Sequence, residues 1–196
     1  MTEAVRSETG LDYEIRYKPF ILAIVGPPLH GKTTLATEMA KTSNLALLDV
    51  DEARAELFPE RIVGQALPGD QERFVMLTSY QSIHERTRDI IQEGNPIVIA
   101  GAYTRKIYHE MLYDLAKGMG VSLRIALLEC SEEEIRARLQ KRSQETTLSN
   151  VKTFKQYLDI RERYERMQGV IILDSEQRTK KTATELSKFL ERHIVQ

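Results

Sequence analysis

Short, continuously apolar runs alternate along this chain with longer stretches in which apolar residues return every three or four positions. The runs Phe20 to Val25, Leu45 to Asp49, Ile97 to Gly101, Leu123 to Glu129 and Val170 to Leu173 are mostly aliphatic and too short for helices, which predicts five strands buried on both faces. Between them the spacing predicts helices over Lys32 to Lys41, over Gln71 to Gln92 with Leu77, Tyr80, Ile83 and Ile90 on one face, and over Ile107 to Met119 with Ile107, Met111 and Leu115 aligned. Further helices are predicted over Ser131 to Arg142, where a serine and three glutamates read as an N-cap and first turn, over Val151 to Tyr164, and over Ala183 to Ile194. Strand and helix taking turns is the pattern of a parallel sheet covered by crossover helices, so the fold class is α/β.

No repeat, low-complexity tract or Pro/Gly-rich linker divides the chain, and one domain over 1–196 is expected, with residues 1–12 disordered. Two segments read as excursions from the sheet. One is 58–70, containing Pro59, Gly64, Pro68 and Gly69, on the substrate side; the other is 143–150, polar and rich in Ser and Thr, which suits a lid loop. The 28 Lys and Arg against 29 Asp and Glu leave a net charge of -1, so the overall basic field that marks many nucleic-acid binders is absent. The single cysteine, Cys130, excludes an internal disulfide framework and a CxxC pair. With a polar N-terminal segment and no apolar run of spanning length, this leads us to expect a soluble, cytoplasmic protein without a membrane partner.

The most specific chemistry lies in Gly26-Pro27-Pro28-Leu29-His30-Gly31-Lys32-Thr33-Thr34, which satisfies GxxxxGK(S/T) between a buried strand and an amphipathic helix. Glycines let the backbone wrap closely, so that successive N–H groups and the helix N-terminus point at phosphate oxygens. Lys32 is expected to bridge the β- and γ-phosphates, and the Thr33 hydroxyl to ligate Mg²⁺. His30 occupies a position where a small residue is common, and its side chain is expected to pack or to face solvent. Neither a DxxG turn nor an NKxD guanine reader occurs, which removes a GTPase switch. Leu47-Leu48-Asp49-Val50-Asp51-Glu52 resembles the strand-end acids of motor ATPases but comes directly after the first helix, too early for that order.

In that position Asp51 and Arg54 form a DxxR pattern, and Arg138-Leu-Gln-Lys-Arg142 places two arginines four residues apart on one helical face. With the phosphate loop, these features make the chain resemble the small P-loop kinases: nucleoside-monophosphate kinases, chloramphenicol phosphotransferase, zeta-toxin-like kinases and polynucleotide 5′-kinases. The resemblance spans roughly Phe20 to Leu190. It implies a three-layer P-loop NTPase fold whose five parallel strands run in the order 2-3-1-4-5, with helices on both faces and a small lid. It also implies ATP and Mg²⁺ as cofactors, Asp51 as acceptor of the substrate hydroxyl's proton, and Arg54 as an acceptor-orienting residue. Arg138 would lie near the base, with the segment near Ser175 to Thr179 bordering it, and Arg142 would reach phosphate oxygens and spread transition-state charge.

The chain departs from many of these relatives at the third strand, where Ile97-Val-Ile-Ala-Gly-Ala102 offers no acid for Mg²⁺, leaving the duty to Asp49, to Asp51, or to Thr33 with phosphates and water. Arg105 follows this strand and is a candidate substrate contact at the carboxyl end of the sheet. Cys130 reads as a small buried filler; His84 and His109 lack metal-binding partners at helical spacing; Arg161 to Arg166 reads as a solvated helix face with Asp159–Arg163 and Glu162–Arg166 pairs. The expected activity is phosphoryl transfer from ATP to a hydroxyl or phosphate acceptor, favouring a small molecule over a nucleic acid. The alternatives are a polynucleotide 5′-kinase and a non-catalytic nucleotide-binding module. The acceptor's identity, ATP against GTP, and the oligomeric state have no signature in the sequence.

Overall fold

The computed structural model describes residues 18–59, 69–142 and 151–194. The N-terminal segment, most of the 58–70 excursion and the whole 143–150 loop therefore lie outside the described residues. Five strands, β1 (Phe20–Val25), β2 (Ala46–Asp49), β3 (Ile97–Gly101), β4 (Ser122–Glu129) and β5 (Val170–Asp174), form one parallel sheet in the order β2-β3-β1-β4-β5. Among the described residues six helices lie between the strands, α1 (Lys32–Ser43), α2 (Val50–Leu57), α3 (Gly69–Gln92), α4 (Lys106–Met119), α5 (Glu132–Arg142) and α6 (Phe154–Glu162), and α7 (Thr179–Ile194) follows the last strand. Strand order and parallel pairing are those expected.

The central strand shows why its sequence carries no polar residue. Side chains alternate between faces. Ile21, Ala23 and Val25 join Tyr80, Ile83, Leu112 and Leu115 of α3 and α4 in one core, while Phe20, Leu22 and Ile24 join Leu35, Met39, Leu186 and Leu190 of α1 and α7 in the other. A smaller cluster of Leu29, Ile135, Val151 and Tyr157 seats α5 and α6 beneath the phosphate loop. At roughly 1.5–3 kcal/mol per fully buried aliphatic or aromatic side chain, this apolar burial is the main term holding the layers together.

Three local expectations need correction. The buried face of α4 is Tyr108, Leu112 and Leu115 with His109, one residue away from the predicted Ile107 and Met111, which are only partly covered. Helix α6 begins later than predicted because Thr153 and Gln156 form a reciprocal capping box. It also ends at Glu162, so Arg163 to Arg166 are not helical, and Arg163 Nε donates to the Asp159 backbone carbonyl at 2.8 Å where a carboxylate partner was expected.

Candidate functional site

All the site residues grow from the carboxyl ends of β1, β2 and β3 and from what crosses above them. Gly26 leaves β1 at φ 140, and a Cβ there would stand 2.9 Å from the Leu128 carbonyl oxygen, so the loop passes β4 at a distance only glycine allows. Gly31, at φ 82, ends the loop in left-handed geometry and is the N-cap of α1, with no side chain covering the helix's first N–H groups. Those groups are the ones an anion would use.

Two residues within the loop face away from that nest. The Leu29 side chain is buried in the α5–α6 cluster and its carbonyl accepts from Arg138 NH1 at 2.8 Å. His30 packs, the first of the two outcomes expected for it: Nδ1 donates to the Leu128 carbonyl at 2.7 Å and Nε2 meets the Tyr157 hydroxyl at 3.2 Å. Burial lowers the His30 pKa to about 4, with the Leu128 carbonyl opposing, so the ring is neutral and ties the loop to β4 and α6.

Lys32 Nζ donates to the Pro27 carbonyl at 2.9 Å. Burial pushes its ammonium below the ordinary lysine value, and the carboxylates of Asp51 and Asp49 pull it back up. A buried cation held this way is short of negative charge. The Thr33 hydroxyl donates to Asp49 Oδ2 at 2.7 Å, and the Asp51 N–H donates to Asp49 Oδ1 at 2.7 Å. Asp49, not Asp51, therefore caps α2. Its carboxyl pKa is raised by burial and by the Asp51 charge, against the hydrogen bond from Thr33. Asp51 is left in the first turn of α2, its carboxylate 43% exposed and 2.9 Å from NH2 of the buried Arg54. Lys32, Thr33, Asp49, Asp51 and Arg54 all line one cleft of about 780 Å³.

The floor of that cleft is Ala100, Gly101 and Ala102. A Cβ on Gly101 would stand 2.8 Å from the Tyr103 ring and 2.9 Å from Val50 Cγ2, so the strand end has room for nothing larger. Tyr103 itself has φ 45, a strained value for a bulky residue. Its N–H donates to the Tyr80 hydroxyl at 2.8 Å, its carbonyl accepts from His109 Nε2 at 2.6 Å, and its hydroxyl meets His84 Nε2 at 3.2 Å. This buried knot turns the chain so that Thr104 and Arg105 join the cleft. His84 and His109 are thus hydrogen-bonding members of the core.

The far wall carries residues that sequence reading did not assign to a site: Glu72 and Arg73 of α3, Tyr108 of α4, and Asp159, Arg163 and Glu165. Glu165 accepts from the Lys106 N–H, and its own N–H donates to the Thr104 carbonyl at 2.9 Å, so the segment after α6 straps the start of α4. Only the excess of charged residues around 161–166 marks this strap in the sequence.

On the other side of the phosphate loop, a second cleft of about 310 Å³ is lined by Gly31, Thr34, Arg138, Arg142, Ser175, Gln177, Thr179 and Thr182 among others. Arg138 is fixed there by Glu134 Oε1 at 2.8 Å, the Ser175 carbonyl at 2.7 Å and Ser175 Oγ at 3.2 Å, besides Leu29. Arg142 lines both clefts. Arg136 lies over the Phe154 ring at 3.5 Å from its centroid, and Glu132 pairs with Arg161. Cys130 is partly exposed, with Sγ 3.6 Å from the Ser131 carbonyl, and so is not the fully buried filler expected.

The residues present fit Mg²⁺ on their donor chemistry. Thr33 and Asp49 supply hard oxygens, and this ion takes few protein ligands when phosphates and water complete its shell. Among the described residues no group of three His, Cys, Asp or Glu side chains could hold an ion unaided. Nor is any described helix long and apolar enough to cross a membrane.

Residues 21–167 match the family model AAA_33, described as an AAA domain. A 95-residue stretch is 30% identical to the tRNA dimethylallyltransferase of Synechococcus sp. (strain CC9311), covering 48% of this chain but only 27% of that protein's length. In three dimensions the chain is similar to a sugar kinase from Janibacter sp. HTCC2649, with a TM-score of 0.68 and 20% identity over 88% of this chain and 95% of that one. A gluconokinase from Sinorhizobium meliloti 1021 gives a TM-score of 0.69 and 18% identity over 91% and 95%. At these identities the structural likeness speaks for the fold.

Proposed function

We propose, from the premise that the chain belongs to the P-loop kinase-like AAA domain family, that it moves the γ-phosphoryl group of ATP to a hydroxyl or phosphate group of a small acceptor. The observation that carries this is the convergence, in one cleft, of Lys32, the Thr33–Asp49 contact and the Asp51–Arg54 pair.

In this reading the loop N–H groups and Lys32 hold the phosphates, and an incoming phosphate replaces the Pro27 carbonyl as the partner of the Lys32 ammonium. Thr33 and Asp49 would hold Mg²⁺, which when bound offsets phosphate charge. Asp51 accepts the proton of the attacking hydroxyl, and Arg54 holds Asp51 in place while presenting a guanidinium edge to the acceptor. Arg142, lining both clefts, spreads the charge of the transferring group. Arg105 and Thr104, turned inward by the Tyr103 knot, meet the acceptor's far end.

Two observations favour this over the alternatives. The far wall balances Arg73, Arg105 and Arg163 against Glu72, Asp159 and Glu165, whereas a nucleic-acid groove needs a surplus of cations. Although one relative's name speaks of tRNA, the aligned stretch is 27% of that protein and this wall lends RNA no support. Against a non-catalytic nucleotide holder, Asp49 supplies beside Thr33 the acid that β3 lacks.

The test is a screen of hydroxylated metabolites and oligonucleotides for acceptor-stimulated ATP consumption, with Lys32→Ala as the blank. Stimulation by a small acceptor, lost in Asp51→Asn while ATP still binds, is the expected result. Tight ATP binding with no stimulation by any acceptor would leave only the nucleotide holder.

A further inference from the structure

The far wall of the 780 Å³ cleft carries charges that the fold does not use. Arg73, Arg105 and Arg163 line it together with Glu72, Asp159 and Glu165, yet among the described residues no ion pair joins any of these arginines to a carboxylate. Glu165 is taken up by the Lys106 N–H at the start of α4, and Arg163 Nε by the Asp159 carbonyl. Arg73 and Arg105 keep their guanidinium donors for something else, and a planar fork of N–H groups beside an open cleft suits an anion.

Tyr108 points the same way by a separate route. The residue is only 4% exposed, and its ring stacks on Tyr80 with centroids 4.5 Å apart. The hydroxyls of Tyr80, Tyr103, Tyr113 and Tyr157 all meet partners within the fold, whereas that of Tyr108 has none among the described residues and the residue lines the cleft. A fixed phenol with an unused O–H is a donor in waiting. Burial raises its pKa, and after burial the groups that act on it are Arg105, Glu72 and Arg73, the two arginines downward and the glutamate upward.

Two arginines and one glutamate leave a single positive charge around that hydroxyl. A carboxylate matches it, with one negative charge, two oxygens for guanidinium donors and a lone pair to spare for the phenol. A phosphate monoester brings about -1.5 to -2 charges at neutral pH and would be set against Glu72. We propose that Arg73, Arg105 and Tyr108 form a carboxylate subsite, and that the acceptor is a small hydroxy acid anchored there. Glu72 then accepts from one of its hydroxyls. Another hydroxyl bonds through its oxygen to the γ-phosphorus as the bond to the β–γ bridging oxygen breaks, its proton passes to Asp51, and ADP leaves. The transfer step rests on the function proposed above; the binding of the acid does not.

The test is calorimetric binding, with ADP and Mg²⁺ present, of glycerate, threonate and gluconate, each beside the alditol and the phosphate monoester of the same chain length. At least one acid binds more tightly than both its counterparts, by a factor on the order of 10. Arg73→Ala and Arg105→Ala each weaken that acid on the order of 10- to 100-fold, with ADP affinity and melting temperature unchanged. Tyr108→Phe, which keeps the stack on Tyr80, weakens it by about 3- to 10-fold. Glu72→Gln narrows the gap between acid and phosphate monoester. Binding of no acid overturns the subsite, as does an alditol or phosphate monoester that binds as well, an acid affinity untouched in both arginine variants, or ADP affinity lost in step with it. An acid held through these residues that stimulates no ATP consumption upholds the subsite and fails the kinase. Stimulation by neutral alditols alone, lost in Asp51→Asn, upholds the kinase and fails the subsite.

Discussion

The end of the cleft around Gly26–Thr34 and the end around Arg73, Arg105 and Arg163 are built on opposite plans. The first comes from one contiguous stretch whose backbone is fixed several times over: Gly26 against Leu128, Leu29 in its own small core, His30 on a carbonyl and a phenol, and Gly31 at the head of α1. The second is assembled from α3, the β3–α4 turn and the strap after α6, and it mixes three cations with three carboxylates. A grip on phosphate uses backbone N–H groups, which every residue except proline carries, so its rigidity can be written locally. An acceptor is told from its rivals by side chains, and these must converge from distant parts of the chain.

The largest way to separate the two ends is Lys32→Ala. Acceptor-stimulated ATP consumption is expected to fall by a factor on the order of 10² to 10³. The melting temperature should hold or rise, since burial penalises the ammonium that is removed. A variant that loses stability along with turnover would mean that Lys32 serves the fold instead.

Acid comes next, and it acts on both ends. Burial sets the pKa of His30, under the phosphate loop, and of His84, under the Tyr103 knot, to about 4 against an ordinary 6.5. Between those values the unfolded chain binds more protons than the folded one. Stability is therefore complete above pH 6.5 and lost as pH falls towards 4, by up to about 3 kcal/mol for each ring. Denaturant melts at pH 7, 5.5 and 4.5 measure this, and a flat profile would show that neither ring is held neutral.

Asp49→Asn sharpens the comparison at the junction. Asparagine caps a helix as well as aspartate does, so α2 and the melting temperature should be little changed. The lost charge is expected to weaken the Mg²⁺ dependence of turnover by about 10- to 100-fold, read as a rightward shift in a Mg²⁺ titration. A large drop in melting temperature with the titration unmoved would make Asp49 a cap alone.

The smallest effect belongs to the acceptor end. Tyr80→Phe keeps the aromatic packing on Tyr108, whose ring centroid lies 4.5 Å away, but leaves the Tyr103 N–H without its partner. We expect a cost of about 1–2 kcal/mol in stability and a raised acceptor KM, with the KM for ATP unchanged. Equal movement of both KM values would place the knot's influence on the whole cleft.

The five strands and the loop between the first of them and α1 were legible because continuous burial leaves a one-dimensional trace, as in Phe20–Val25, which has no polar residue since both its faces are covered, whereas the sheet order was implied only by the resemblance to the small P-loop kinases. Ser131 was legible too, as its hydroxyl accepts the Glu134 N–H at 3.3 Å. The α4 face was misjudged by one position, because Ile107 and Tyr108 are both apolar enough to be buried and only the packing of Tyr80 on Tyr108 chose between them. The run 161–166 was misjudged because alternating charge fits a solvated helix and a strap equally well until Glu165 meets the start of α4.

The sequence by itself determined the strand, glycine-bounded loop and helix in succession on which a phosphate grip is proposed. It also left the acid beside Thr33 to be Asp49, Asp51 or neither. Tertiary structure decided which one: Asp49 turns under α2 to meet Thr33, and Asp51, two residues on, is left facing the cleft with Arg54. It likewise decided that Arg138 lies against Ser175. Those choices depend on contacts between residues far apart in the chain, and no local pattern encodes a distance across a sheet.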